Sequence, residues 1–442
     1  MSGWEQYFDK IVCKLDVELL DDERPYVYDK FLLKSPVIYT YRNKNATELE
    51  KDLPMPPLTS FKCLFHNCKL LTNIDGIKHW DTSEVTDMAC MFSDCKSLTN
   101  IDALINWDTS NVETMGCMFY NCESLKNIDG LKKWNTSKVT SMSGMFENCK
   151  SLTIINALMN WDTSNVKCMT GMFENCKSLT IINALMNWDT SEVKDISFMF
   201  VNCESLKNID GLKKWNTSKV TAMQFLFENC KSLSNIDALM NWDTSNVKDM
   251  KSMFRYCISL RSINGLNNWN TINVTDICCM FYKCKSLTNI DSLKNWNILN
   301  VIDIKCMFYG CKSLSNIDGL KNWNTSNVEN MACVFCDCES LKNIKGLKHW
   351  DTSKVADMAC MFYKCKLLTN IKSLKHWNTI NVTDMEAMFE HCESLENIDG
   401  IKHWKTNNIN NMSDIFHNCE LLTSCPKDLN ELKAFTNKPK NI

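Results

Sequence analysis

Residues 98–122 read LTNIDALINWDTSNVETMGCMFYNC, and this stretch decides the fold because its pattern returns every 27 residues. Its tryptophan, Trp107, is one of thirteen at that spacing from Trp80 to Trp404. A cysteine column from Cys68 to Cys419 and a phenylalanine column from Phe65 to Phe416 keep the period through fourteen members each. A fixed period of this length is typical of a solenoid, in which each repeat packs mainly on its neighbours.

The composition and the short motifs exclude several classes of function. The 442-residue chain has a net charge of -3 and a pI of about 6.2, so no basic field favours a nucleic acid. The sequence contains no apolar run of about 18 residues that would predict a membrane-spanning helix. Outside the repeats it also lacks a glycine-rich phosphate loop and the His-Glu-x-x-His and Ser-x-x-Lys motifs. The chain is therefore predicted to be no enzyme, with no cofactor and no small-molecule substrate.

Each 27-residue repeat, called a rung below, has apolar residues at fixed positions that predict its interior. Residues 112–115 and 125–129 are short enough to be strands, and residues 118–125 have the apolar spacing of a short helix. Between them, Trp-Asp/Asn-Thr-Ser predicts a polar turn. Stacked rungs would form parallel ladders, with the tryptophan column, including Trp242, inside. The apolar positions of one rung are Cys95, Leu98, Ile101, Leu104, Trp107, Val112, Met115, Met118, Phe119 and Cys122.

The repeat also predicts the domain boundaries. Residues 1–57 do not repeat and are expected to cap the first rung, with a helix in the apolar stretch that begins at Trp4 and ends at Leu20. The solenoid is expected over residues 58–425, in about 14 rungs. Residues 426–442 are expected to form a C-terminal cap and tail, with Leu429, Leu432 and Phe435 on one helix face.

The chain has 26 cysteines, and 14 of them belong to the cysteine column. Neighbouring rungs lie ~4.8 Å apart, a spacing that permits disulfides, but thiols pointing the same way favour free, buried cysteines. The cluster Cys333, Cys336 and Cys338 resembles a metal half-site but has no histidine nearby. His349, His376 and His403 precede the tryptophan in three successive rungs, a column that other rungs fill with lysine or asparagine. No metal site is predicted.

The motif Trp-Asp-Thr-Ser-x-Val-x-x-Met-x-x-Met-Phe-x-x-Cys-x-Ser-Leu-x-x-Ile resembles BspA-type leucine-rich repeats. It is most similar to the variant of unknown function that recurs in mycoplasma surface lipoproteins, with related arrays in protists and large DNA viruses. The resemblance covers residues 58 to about 425. It implies a leucine-rich-repeat-like α/β solenoid, mostly β, and a protein that binds other proteins, often in adhesion at the cell surface. It carries over no catalytic residue.

These observations predict a non-enzymatic scaffold that binds a protein partner through one long solenoid face. The columns free to vary are the residue before each tryptophan, called the Trp-1 column, and the fourth residue after it, called the Trp+4 column. Candidate binding residues in these columns are Glu84, Asn111, Lys133, Lys138 and Glu192.

Three alternatives remain open at this stage: a surface adhesin of the BspA type, a purely structural rod, and an enzyme within residues 1–57. The last is the least favoured, because fewer than about 60 residues rarely build a sufficient core of their own. The first residues, Met1 to Gln6, show no secretory signal, which predicts an intracellular, cytoplasmic location. The family resemblance implies the cell surface instead.

Overall fold

The computed structural model describes residues 3–12, 37–422 and 431. The chain divides into two compact units, Met1–Val220 and Thr221–Ile442. Within each unit, successive rungs stack through backbone hydrogen bonds between residues about 27 positions apart. This arrangement confirms the predicted repeat solenoid.

A short antiparallel hairpin lies at the start of the first unit. Strand β1 (Phe8–Val12) pairs with strand β2 (Val37–Tyr41), and Phe8 lies opposite Tyr41. Both rings are buried and contact Phe65, the first member of the phenylalanine column, at ring-centroid distances of 6.1 and 5.6 Å. The helix predicted for this stretch is therefore wrong over residues 8–12. Pairing with a strand remote in sequence outweighs the local apolar spacing, which carries only a weak preference.

The remainder of the predicted helix, residues 13–20, lies outside the described residues, as do Leu429, Leu432 and Phe435 of the predicted C-terminal helix.

In place of the two strands predicted for each rung, the structure has single-residue parallel bridges between rungs. In the first unit, one ladder of bridges runs through Asp87, Thr114 and Ser141, and another joins Asn127 to Ile154. In the second unit, the first ladder continues in the same way from Ala222 to Asn411. The backbone is thus hydrogen-bonded from rung to rung as in a parallel sheet, although each rung contributes very little regular strand.

The helix predicted over residues 118–125 is also wrong, because one residue with positive φ lies directly before it and another interrupts it. Cys117 has φ 53° and Asn121 has φ 58°, values in the left-handed region that no α-helix contains. Alternate amides then point to the next rung: Phe119 N donates to Met145 O at 2.9 Å, and Asn121 N donates to Glu147 O at 2.8 Å. The stretch becomes a chain of turns that feeds the inter-rung ladder.

The short helix of each rung lies elsewhere, as a 3-10 helix just after the Leu-x-x-Ile that recurs in the repeat. In the rung quoted above, the side chain of Asn100 accepts a 2.6 Å hydrogen bond from the Asp102 amide that opens this helix. The local bond explains why asparagine recurs there. The helices are Asp75–Ile77, Asp102–Leu104, Asp129–Leu131, Asn156–Asn160, Asn183–Leu185 and Asp210–Leu212 in the first unit, and Asp237–Leu239, Asn264–Leu266, Asp291–Leu293, Asp318–Leu320, Lys345–Leu347, Lys372–His376 and Asp399–Ile401 in the second.

The predicted interior columns are confirmed. Trp242 is only 3% exposed, and stacked neighbours such as Phe92 and Phe119 have ring centroids 5.6 Å apart. The Cys122 thiol is buried, unbridged, and donates to the Phe92 carbonyl at 3.3 Å. All the described cysteines are free. The solenoid core is therefore built from continuous columns of like side chains, with the tryptophan and cysteine columns also bonded to the backbone of the preceding rung.

Candidate functional site

The Trp+4 column of the first unit contains four of the five residues predicted to bind a partner. Three of the four, Asn111, Lys138 and Glu192, are bonded to another side chain of the same column. Asn111 donates its side-chain amide to Ser83 O at 2.7 Å, and Lys138 donates to the Asn111 side-chain oxygen at 2.6 Å. Glu84 is exposed at the start of the column. The asparagine therefore supports the ladder, whereas the lysine and the glutamate present charged groups to solvent.

Glu192 lies farther along the same column and pairs with Lys219 of the next rung at 2.5 Å. The Lys219 ammonium lowers the pKa of Glu192 through this hydrogen bond. Lys133 belongs to the Trp-1 column, where its ammonium donates to the Asn106 side chain at 3.2 Å. The structure thus places Glu84, Asn111, Lys138 and Glu192 in one column and Lys133 in another. Their binding role stays a prediction.

The second unit carries a shallow groove on its own Trp+4 column. The groove has a volume of about 280 Å³ and includes three successive members of the column, Asn300, Asn327 and Lys354. Asn300 and Asn327 donate to the carbonyls of Ile272 and Leu299 at 2.8 Å, as the asparagines of the first unit do. The lining residues are Leu299, Asn300, Ile302, Asn327, Glu329 and Lys354.

Two apolar side chains are exposed in this groove. Leu299 is 40% exposed and Ile302 is 54% exposed. Leu299 stands where nine of the thirteen rungs have serine, because the polar turn reads Trp-Asn-Ile-Leu instead of Trp-Asp-Thr-Ser. The sequence prediction followed what the columns share and so missed this departure. An apolar residue in a column of serines is the signal that would have found it.

Ile272, one rung earlier, also replaces that serine and is 49% exposed. Ile272, Leu299 and Ile302 together form an exposed apolar patch, in contrast to the scattered single apolar residues that any protein surface shows. The patch is flanked by the charged side chains of Glu329 and Lys354.

The three cysteines of the predicted metal half-site do not act as one set. Cys338 is fully buried and donates to Phe308 O at 3.2 Å, whereas the nearby Cys333 is half-buried. The three histidines His349, His376 and His403 are exposed. Within residues 3–12 and 37–422, no group of three or more His, Cys, Asp and Glu side chains is arranged to hold a metal ion.

Stacked 27-residue rungs with leucine, isoleucine, tryptophan and phenylalanine columns define a leucine-rich-repeat-like solenoid. The family described as "Mycoplasma protein of unknown function, DUF285" matches residues 43–153, 126–236, 205–317, 232–343, 285–373 and 337–434, so the chain belongs to that family. No curated protein matches this chain. In the described part of the chain, no helix has both the length and the apolar character that crossing a membrane requires.

Several solved structures are similar. A leucine-rich cell surface protein from Faecalibacterium prausnitzii is 21% identical, with 65% of this chain and 76% of that one covered and a TM-score of 0.33. A leucine-rich repeat protein from T. pallidum is 20% identical over 40% and 72% of the two chains, with a TM-score of 0.27. The functional domain of InlJ from Listeria monocytogenes, which includes a cysteine ladder, is 13% identical over 84% and 71%, with a TM-score of 0.20.

Proposed function

We propose that this protein is a non-enzymatic repeat scaffold that binds a protein partner through one face of its second unit, the face that carries the Trp+4 column. The observation that carries the proposal is the exposed apolar pair Leu299 and Ile302 in a groove whose walls belong to that face. In twelve other rungs the position of Ile302 is threonine, lysine, glutamate, alanine or asparagine, so this rung departs from the polar character of its column.

The energetics of the groove favour a partner. Fully burying a leucine or isoleucine side chain contributes ~1.5–3 kcal/mol, and about half of each side chain is still available here. A partner that covered Leu299 and Ile302 would therefore gain ~2 kcal/mol from these two residues. Such central apolar contacts ringed by polar groups are typical of the anchor points of protein interfaces.

The charges at the rim indicate which segment fits. Lys354 lies on one side and donates one of its three ammonium hydrogens to Asn327 at 2.7 Å. Glu329 lies in the lining as well and is exposed. An extended protein segment with an apolar side chain between an acidic and a basic residue would match this order of charges and fill the groove.

The test compares three versions of the full chain in a pulldown from the native host. One carries Leu299→Ser and Ile302→Thr, which restore residues found in the same columns of other rungs. The matched control carries Ile181→Asn, which removes an isoleucine that is 53% exposed in a different column and restores its usual asparagine. We expect a partner that the parent and the control retain and the groove variant loses.

A retained partner is then purified and its affinity measured directly. The groove variant should bind ~10-fold or more weakly, the factor that corresponds to ~1.4 kcal/mol or more. Equal binding by the groove variant and the parent would refute the groove as the anchor. If no partner is found with any folded version, the structural-rod alternative is favoured.

The same assay extends to the first unit. Lys138→Ser and Glu192→Ser change the exposed charges of its Trp+4 column, and Lys133→Ser changes the Trp-1 column. Loss of the partner with the first pair but not with Lys133→Ser would assign binding to the Trp+4 column of that unit.

A further inference from the structure

A column of thiols lies five residues before the buried cysteine column, and in the second unit it is accessible. Its members Cys279, Cys306, Cys333 and Cys360 occupy four successive rungs and are all half-buried. Each has a positive φ, between 54° and 58°, so the four backbones are in the same conformation. We call these four residues the thiol ladder.

The thiols of the ladder are neighbours in the stack of rungs. Each lies close enough to the next to shift its pKa: Cys279 and Cys306, Cys306 and Cys333, and Cys333 and Cys360. Cys278 adds a further thiol, with its sulfur 3.5 Å from that of Cys279. The ladder is therefore a row of soft ligands at the protein surface, whereas the thiols of the buried cysteine column donate their S–H groups to backbone carbonyls.

The equivalent thiols of the first unit differ in one respect. Cys63, Cys90 and Cys117 occupy the same column but are fully buried, and Ile38 and Tyr120 pack against them. The two sets share backbone conformation and chemistry, and they differ in access from solvent. This difference makes the first-unit set a matched control.

We propose that the thiol ladder binds a soft, closed-shell metal ion, Cu(I), between the thiolates of successive rungs. The spacing fits such a site. The backbones of neighbouring strands lie ~4.8 Å apart, and two metal–sulfur bonds in a line span ~4.6 Å if each has the ~2.3 Å length of a zinc–thiolate bond. Thiolates select Cu(I) over harder ions. Two sulfurs complete a linear site, so the proposal needs no third converging ligand.

Charged groups of both signs lie around the thiol ladder. Asp276 and Asp303 lie near Cys278, and Glu386 lies near Cys360, so their carboxylates favour a cation. Arg255 lies near Cys279 and stabilises its thiolate. The hydrogen bond from Cys278 lowers the pKa of Cys279, but the bond to Cys306 and burial outweigh it and raise this pKa to about 11. An ordinary thiol is protonated at neutral pH.

Metal binding must then displace those protons. Each Cu(I) held by two thiols forms two Cu–S bonds and breaks two S–H bonds, and about two protons leave to the buffer without any change of oxidation state. A thiol titration after removal of the metal separates coordination from oxidation, because coordination leaves every thiol in place, whereas disulfide formation would consume an oxidant and leave no thiols to titrate.

The experiment titrates the reduced, full-length protein with Cu(I) under anaerobic conditions against a coloured Cu(I) chelator. The test variant carries Cys279→Ser, Cys306→Ser and Cys333→Ser, which removes every pair of neighbouring ladder thiols. Serine suits the position, since Ser252 occupies the same column with φ 53°. The control variant carries Cys63→Ser, Cys90→Ser and Cys117→Ser, and Cys168→Ser serves as a second control at a half-buried thiol.

Parent and controls should take up about two Cu(I) ions per chain and release about two protons per ion, because four thiols provide two pairs. The test variant should take up none at the same chelator concentration while keeping the far-UV circular dichroism of the parent. Equal uptake by the test variant and the parent would overturn the proposal, as would equal loss in the Cys168→Ser control. Because this readout needs no protein partner, it is independent of the proposed scaffold function.

Discussion

Replacing Trp323 by alanine tests whether the tryptophan column carries the stability of the solenoid. Trp323 is 3% exposed, stacks on Trp350 at a ring-centroid distance of 6.2 Å and donates its indole N–H to Leu293 O at 2.9 Å. The substitution removes the ring, the stacking contact and the hydrogen bond together, while the backbone ladder on both sides remains.

The expected loss in the free energy of unfolding is ~3–5 kcal/mol, the range for truncating a large buried aromatic residue. The hydrogen bond is a small part of it. Leu293 O also accepts from the Trp296 amide at 3.1 Å, so the carbonyl keeps one partner and the lost bond contributes only ~1 kcal/mol. Trp323→Phe, which keeps most of the ring volume, should therefore cost clearly less than Trp323→Ala.

The assay is urea unfolding of the full chain followed by far-UV circular dichroism, with Lys348→Ala as the control. Lys348 is exposed, and its replacement should change stability by less than ~0.5 kcal/mol. A loss below ~1 kcal/mol for Trp323→Ala would refute the reasoning, because so small a cost is inconsistent with a fully packed ring.

Two further predictions concern individual columns. Asn121 has φ 58°, a left-handed conformation that glycine adopts more easily than alanine. Asn121→Ala should therefore lower the free energy of unfolding by ~1–2 kcal/mol more than Asn121→Gly, although alanine is usually the less destabilising substitution. Equal losses in urea unfolding would contradict the assigned backbone conformation. Burial raises the pKa of Asp303 in the folded state, so this group favours folding at acidic pH and that contribution is lost as the pH rises through its folded pKa. Asp303→Asn keeps an acceptor for the Lys305 amide and should be more stable than the parent at neutral pH, with the difference disappearing in acid; a difference independent of pH would contradict this assignment.

Much of the architecture was predictable because the repeat shows which residues of successive rungs are equivalent. The 27-residue spacing of Trp107 and its equivalents indicates which side chains stack, and a large apolar residue present in every rung can satisfy that repetition only inside. The same argument predicted free thiols in the cysteine column. The threonine of the polar turn also links the rungs: Thr109 donates to Asn135 O of the next rung at 2.9 Å.

The backbone conformation within a rung was less predictable. Met118, Phe119, Cys122 and Leu125 have helical spacing, yet the chain there follows turns because the amides of Phe119 and Asn121 are hydrogen-bonded to the next rung. Side-chain spacing reports which residues are buried, and it does not report whether an amide bonds within its own rung or to a neighbour. Strand β1 was missed for the same reason, since its partner lies 25 residues farther along the chain.

The sequence by itself determined the repeat, its register, its buried columns and the family, because all of these depend on residue identity at a fixed period. Only the tertiary structure decided which members of those columns remain accessible. Leu299 and Ile302 form a groove because their neighbours in adjacent rungs line it, and Cys306 and Cys333 are open to solvent where Cys90 and Cys117 are covered. Accessibility depends on what packs over a side chain, and here residues of other columns, such as Ile38 and Tyr120, supply that cover.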